Sequence, residues 1–309
     1  NDEVWVSPIS FVASSNCILY CGAKPVFIDI DSKTNNICIN KVEEKLKKYK
    51  TENKSMPKVI IAVHLSGLSC EMRKLSYLSK KYGFSIIEDA SHAIGGKYKQ
   101  QAIGNCLYSD ITIFSFHPVK MITTGEGGMA ITNSKLLADN MRLYSSHGIT
   151  KDKDKISFDM PWAYEQQILG FNYRMSDIHA ALGISQLDRL DDFVEARTKI
   201  SEYYTKNIAS KNVTSVMQGE FGKSSYHLYL IHIENTDREK VFNRLLRKGI
   251  GTQVHYIPIY KQPYYKEIGF KEKNYPNAEK YYQGVITLPI HPYIEMSDLN
   301  MIVEVINDI

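Results

Sequence analysis

Two short segments hold side chains able to do chemistry. The first is Ile86-Ile87-Glu88-Asp89-Ala90-Ser91-His92, where two carboxylates stand at the carboxyl end of an apolar run. The second is Phe114-Ser115-Phe116-His117-Pro118-Val119-Lys120, where a lysine follows another apolar run. Taken singly, neither says much. An aspartate after a strand is as readily a helix N-cap, and a loop lysine is more often a surface charge. Together they bring an acidic group and an amine to one sheet edge, with the Ser115 hydroxyl close to the amine. An aldehyde cofactor with a ring nitrogen and a phosphate needs that set of groups.

Other chemistries find less support. No Gly-x-Gly-x-x-Gly follows a strand and there is no Walker A sequence; Gly125-Glu126-Gly127-Gly128 is glycine-rich but precedes a strand rather than a helix. His64, Asp89 and His92 could be read as metal ligands, yet no ligand spacing links them, so no metal is expected. The five cysteines, Cys17, Cys21, Cys38, Cys70 and Cys106, include no C-x-x-C pair. An odd count without a framework suggests free thiols in a reducing, cytoplasmic compartment. A formal net charge of +4, with charged residues at 23% and hydrophobic ones at 43%, points away from nucleic acid. No apolar stretch approaches the ~20 residues of a membrane span, and no signal-peptide pattern is present.

The elements that must position these groups follow from periodicity. Strands are expected at Glu3–Val6, Pro25–Ile30, Val59–Val63, Ser85–Glu88, Ile111–Phe114 and Met129–Ile131. The runs at 59–63 and 111–114 are apolar or β-branched throughout, as in strands buried on both faces. Helices lie between them: Asn40 with Glu43 looks like a capping box, and a helix over Met72–Tyr82 ends at Gly83, the expected C′ residue. This alternation predicts an α/β fold with a mostly parallel sheet, whose ligands sit beyond the carboxyl ends of the strands. Residues 149–168 read as a mobile polar insertion, and Ser176–Asn207 as one long bridging helix. Beyond it, strand-like Tyr226–Ile233, Thr252–Tyr256 and Val285–Leu288, with helices over Arg238–Lys248 and Ser297–Ile306, make a smaller α+β domain. The 309 residues suit two domains, expected at 1–190 and 191–309, the second including the bridging helix. The chain opens on Asn1-Asp2-Glu3 and runs straight into a strand, so an N-terminal segment is expected to be missing.

In this order, Asp89-Ala90-Ser91-His92, Ser115-Phe116-His117-Pro118-Val119-Lys120, Gly125-Glu126-Gly127-Gly128 and Gly170-Phe171-Asn172-Tyr173-Arg174 resemble the DegT/DnrJ/EryC1/StrS sugar aminotransferases, of fold-type I. The resemblance runs from Ser7-Pro8-Ile9-Ser10-Phe11 to the final helix. It implies pyridoxal 5'-phosphate as cofactor and Lys120 as the Schiff-base lysine. It further implies Asp89 on the pyridine nitrogen, His92 near the ring oxygen, Ser115 at the phosphate or substrate, and Phe11 stacked on the ring. As a residue, Phe11 could also be an ordinary core group, the lesser alternative. Asn172 and Arg174 match a segment that reaches into a partner's site, which implies a homodimer. Gly251-Thr252-Gln253-Val254-His255-Tyr256 is similar to the substrate-facing segment of members that move an amino group from L-glutamate to C4 of a UDP-linked 4-keto-6-deoxy sugar. Gln253, Val254, His255 and Tyr256 are therefore substrate-wall candidates, although His255 and Tyr256 could as well be satisfied core groups. The family's phosphate-binding Ser-Gly/Ala-Thr turn would precede Asn1. Other readings remain: a C3 or other C4 nucleotide-sugar aminotransferase of the same family, a dehydratase, in which the family replaces the lysine with histidine, and a non-catalytic regulator.

Overall fold

A run such as Val59-Ile60-Ile61-Ala62-Val63 has no polar face to turn to water, and the chain buries it inside a sheet. The computed structural model describes residues 2–158, 160–216, 222–271 and 275–309. Its large sheet contains β1 (Glu3–Val6), β2 (Lys24–Phe27), β3 (Val59–Val63), β4 (Ser85–Asp89), β5 (Ile111–Ser115) and β6 (Gly128–Ile131). Their order is β2-β1-β3-β4-β5-β6. Every neighbouring pair is parallel except β5–β6, which is antiparallel. The chain passes from β1 to β2 on one side and returns to β3 on the other. Loops leaving β1 and β3 therefore diverge at the sheet's carboxyl edge and open a crevice there.

Helices α1 (Ala13–Tyr20), α2 (Ile39–Thr51) and α3 (Met72–Tyr82) connect these strands. α2 buries Ile39, Val42 and Leu46, and α3 buries Met72, Leu75 and Leu78, the three-to-four spacing of one helical face. Both stripes close over Trp5, Ile60 and Ile86 in a single core. α3 stops at Gly83, whose φ of 77° is a left-handed conformation that favours glycine. Further along lie α4 (Lys135–Ser145), α5 (Asp177–Leu187) and α6 (Leu190–Asn207).

The smaller sheet is antiparallel, with β7 (Val213–Ser215), β8 (Tyr229–Ile233) and β9 (Val285–Leu288) in the order β7-β8-β9. It packs with α6, α7 (Arg238–Arg247) and the last helix through Tyr204, Ile231, Leu245, Ile286 and Ile302. Further along, after a short helix at Pro263–Glu267, come α8 (Pro276–Gly284) and α9 (Met296–Asn307).

Four expectations need correction. The capping box is absent: α2 starts after Cys38 with no side-chain cap, and Asn40 instead accepts from Lys74 Nζ at 2.6 Å. Residues 176–207 form two helices rather than one, broken at Asp188–Arg189. α6 turns so that Phe193, Val194, Ile200 and Tyr204 face the core, whereas α5 buries no residue. Thr252–Tyr256 is not a strand; only Gln253 pairs, through a bridge to Thr287. The insertion at 149–168 contains a short antiparallel pair, Ile149–Thr150 with Glu165–Gln166.

Buried polar groups brace the segments around the small sheet and tie α8 to the large one. Arg197 on α6 donates through Nη1 to the carbonyls of Tyr226, His227 and Ile290, at 3.2, 3.1 and 2.8 Å. Asp29, just past β2, is 3% exposed. It accepts from the backbone N–H groups of Asn277 (3.1 Å) and Ala278 (2.9 Å), and from Lys41 Nζ (2.6 Å). A residue almost 250 positions away thus caps α8, whose own N-cap Tyr275 offers no side chain; end N–H groups of a helix need such a partner. Asp29→Ala strands those donors and the lysine. The expected loss is roughly 3 kcal/mol, read as a lower urea midpoint. A midpoint equal to wild type would show that these bonds do not hold α8.

Candidate active site

Alternation along β4 sorts its two carboxylates onto opposite faces. Glu88, 5% exposed, turns into the core. There it accepts from Thr112 Oγ1 (3.1 Å), from the Ser109 hydroxyl, and from His64 Nε2 (2.7 Å). Nδ1 of His64 receives the Cys70 N–H at 3.2 Å, which leaves Nε2 as the nitrogen that donates. Burial would raise the Glu88 carboxyl, but these donors outweigh it and hold the group below its ordinary value. Glu88 is a structural carboxylate. Asp89 faces the other way, into the crevice.

Asp89 is a prepared acceptor. Ser14 on α1 donates to Oδ2 at 2.5 Å, and Ser10 lies 2.6 Å from Ser14 through the hydroxyls. Ser91 donates to Oδ1 through its hydroxyl (2.6 Å) and its backbone N–H (3.2 Å). Such donors fix the carboxylate in position and leave it able to accept one more proton-bearing group.

Lys120 enters from the loop after β5. Its N–H donates to the His117 carbonyl at 2.9 Å, and the His117 ring accepts the Val119 N–H at 3.3 Å, so the turn is braced from both sides. The loop then folds back into β6. Gly128 is required there, because a Cβ would sit 2.8 Å from the Phe114 carbonyl oxygen. Burial lowers the Lys120 ammonium from its ordinary value, while the Asp89 carboxylate opposes the shift. Desolvation thus makes the neutral amine, the nucleophilic form, easier to reach.

One cavity of about 500 Å³ gathers these groups, within the size range of small-molecule sites. Asp89, His92, Ser115, Lys120, Phe11, His255 and Tyr256 all line it. Phe11 is not core: it is 59% exposed, and its ring lies 6.3 Å from that of Tyr256. His255 and Tyr256 arrive from the small domain. The His255 Nδ1 meets the Thr287 hydroxyl at 2.8 Å, and the Tyr256 hydroxyl meets His92 Nε2 at 3.0 Å.

Other sequence candidates fall outside the cavity. Gln253 is exposed and exchanges backbone hydrogen bonds with Thr287, and Val254 packs into a core cluster with Ile9, Ile30 and Tyr281. Asn172 and Arg174 are both exposed, bridging to Ser146 through backbone and side chain respectively. Sequence reading missed Ser10 and Ser14, whose hydroxyls serve a carboxylate 75 residues away; nothing local announces them. Ser91, two residues from Asp89, was findable. Also missed was the rim pair His117–Glu126, 3.8 Å apart.

A desolvated amine, an oriented carboxylate and an exposed aromatic wall in one cavity suit the aldehyde, ring nitrogen and ring face of pyridoxal phosphate. Comparison with known proteins agrees. The profile of the DegT/DnrJ/EryC1/StrS aminotransferase family matches residues 1–307, and the chain belongs to that family. It is 36% identical over 316 residues to the spore coat polysaccharide biosynthesis protein SpsC of Bacillus subtilis, covering 100% of this chain and 79% of that one. It is 38% identical over 303 residues to the UDP-4-amino-4,6-dideoxy-N-acetyl-beta-L-altrosamine transaminase of Campylobacter jejuni, covering 97% and 77%. Among solved structures, Helicobacter pylori PseC, an aminotransferase involved in the biosynthesis of pseudoaminic acid, superposes with a TM-score of 0.90 at 30% identity, covering 99% and 79%. The chain is a pyridoxal-phosphate-dependent sugar aminotransferase with the fold expected of one.

Burial, and then the Lys120 charge, pull the His255 imidazole from 6.5 down to about 4. Between those values the unfolded chain holds a proton that the folded chain does not, so stability falls as pH falls through that window. His255→Gln should therefore lose stability less steeply than wild type when urea midpoints are followed from about pH 7 to about pH 4.5. Parallel slopes would contradict the assignment.

Proposed function

We propose that this chain transfers the amino group of L-glutamate to C4 of a UDP-linked 4-keto-6-deoxy sugar. The product is then UDP-4-amino-4,6-dideoxy-N-acetyl-beta-L-altrosamine, in pseudaminic acid biosynthesis. The observation that carries the catalytic part is the shared cavity of Lys120 and Asp89. The printed activity of the Campylobacter jejuni relative, together with the placement of His255 and Tyr256 on the cavity wall, supports the choice of sugar.

The residues divide the work. Lys120 Nζ would hold the cofactor at its aldehyde carbon, and the same amine would serve as base and then acid for the proton on the amino donor's α-carbon. Pyridoxal phosphate supplies the electron sink that makes that proton removable. Asp89 would keep the ring nitrogen protonated, and the Ser14 and Ser91 hydroxyls keep Asp89 aimed. Phe11 covers a ring face against water. Ser115 would serve the phosphate or the substrate, and His92 would lie near the ring oxygen. Residues 1–190 act as the cofactor-binding domain, and 191–309 as the bridging helix and substrate-facing small domain.

A homodimer completes the reading. Asn172 and Arg174 lie outside their own chain's cavity, and the surface around them is apolar and uncovered. Leu169 is 85% exposed and Ile178 on α5 is 82% exposed. A second copy seated there buries that surface and brings the partner's Asn172 and Arg174 to the substrate side of this cavity.

Lys120→Ala is the decisive variant. Amino transfer from glutamate, followed by NMR of the aminated sugar, should fall by roughly 10³-fold or more. Turnover of the variant at the wild-type rate would defeat the assignment. A product aminated at C3 would defeat the regiochemistry and leave the lysine's role standing.

A further inference from the structure

The part of the cavity wall that His255 forms is held from behind by one short stretch of chain. α8 ends at Gly284 and β9 begins at Val285, so Tyr281 and Thr287 stand on either side of a single junction. The Tyr281 hydroxyl donates to the His255 carbonyl. The Thr287 hydroxyl meets His255 Nδ1 at 2.8 Å. The Thr287 backbone N–H donates to the carbonyl of Gln253, two residues before His255, at 2.8 Å.

Tyr281 and Thr287 are both buried, and neither lines the cavity. Among the described residues, each hydroxyl has its hydrogen bond with His255 and no other. A buried hydroxyl costs stability unless it is paired. Packing alone asks for no hydroxyl at either position, because phenylalanine and valine fill nearly the same space. Burial pushes the Tyr281 phenol up, so it stays protonated and keeps its hydrogen for the His255 carbonyl.

With Nδ1 taken by Thr287, His255 has one polar side-chain atom left. That atom is Nε2, which has no hydrogen-bond partner among the described residues. The ring lines the cavity, so Nε2 is what it can offer a ligand. Burial, then the charge of Lys120, keeps the ring neutral. A neutral imidazole gives one directed hydrogen bond at that atom and no charge. This suits a hydroxyl or keto oxygen of a sugar, whereas the carboxylates of an amino acid call for cations.

We propose that Thr287 and Tyr281 are positioning residues that fix His255 with Nε2 toward the sugar, and that they govern the sugar half of the reaction and not the amino-donor half. This rests on the reading of the His255 wall as the one that faces a UDP-linked keto-sugar. The hold reaches further back: α8 is capped by Asp29 of the large sheet's side, so the wall is tied to the domain that carries Lys120.

The test separates the two halves. In the cofactor-loaded full chain, L-glutamate discharges the visible absorbance band and a UDP-linked 4-keto-6-deoxy sugar restores it, so each is timed by itself. Thr287→Val keeps a β-branched residue in the strand and removes the hydroxyl. The KM for the sugar should rise roughly tenfold, the size of one lost hydrogen bond, with a smaller change in kcat, while the glutamate half keeps its wild-type constants. Thr287→Ser should restore the sugar half, and Tyr281→Phe should show the same one-sided loss. Equal slowing of both halves, an unchanged sugar half in Thr287→Val, or no rescue by serine overturns the inference. Crystal structures of the chain without cofactor give a second readout. The wild type should show the His255 ring on Thr287, and Thr287→Val should show it turned away or spread over two rotamers. A ring that keeps its place without the hydroxyl overturns the inference, whichever sugar is used. A wild type whose band glutamate discharges and this sugar does not restore defeats the choice of sugar instead, and the placement of the ring then decides the role of Thr287.

Discussion

A carboxylate at the end of β4 and an amine five residues beyond β5 can share a cavity only because those two strands run parallel, side by side. In a parallel pair, both carboxyl ends reach the same edge of the sheet. The register Asp89↔Ile113 sets Asp89 level with the end of its neighbour, so the turn after Ser115 brings Lys120 back over it. The order β1-β3-β4-β5 within the sheet adds the loops after β1 and β3 to the same edge. Phe11 and the serines at 10 and 14 arrive that way. Burial of the two-sided apolar strands fixes this arrangement, so the site depends on the sheet's core as much as on its own contacts.

The electrostatic character of the cavity follows. Three imidazoles stand near Lys120, and burial, followed by neighbouring positive charge, keeps all three below their ordinary value. These three imidazoles thus add no cations, and the charges that face the cavity include those of Lys120, Asp89 and the rim residue Glu126. A cationic ring nitrogen beside Asp89 and a neutral amine at Lys120 are both compatible with that balance. Two or three charged imidazoles would disfavour the cationic ring nitrogen, although they would push Lys120 further toward its neutral form. Small-domain groups are built into the same balance, since His255 and Tyr256 reach the cavity and Ser225 and Arg197 anchor the segments around them. Asp29 adds a rigid tie from the far side by capping α8.

Much of this was legible in the sequence where the signal is local. Apolar and β-branched runs predicted β1, β3 and β9 with the observed bounds, and Gly83 predicted the end of α3. Asp89 and Lys120 stood out because both follow apolar runs that must end at a sheet edge. Contacts across long separations were not legible. Ser14 reaches Asp89 over 75 positions and Tyr256 reaches His92 over 164, and no periodicity encodes either. Some errors came from tertiary packing overriding local preference. Asn40 had the right spacing for a cap but was drawn to Lys74, and residues 176–207 kept helical periodicity across a break that packing imposed. Val254 packs into a core cluster that Tyr256 also touches, while His255 and Tyr256 reach the cavity, a division that no local pattern announces.

The central claim is that Lys120, among all the lysines of this chain, holds the cofactor. It is tested most directly by treating the cofactor-loaded protein with borohydride, digesting it and locating the pyridoxyl mass by peptide mass spectrometry. The account predicts the label on the peptide containing Lys120, at the Lys120 side chain. A label on any other lysine, or none in a protein that shows the cofactor's visible band, would contradict it.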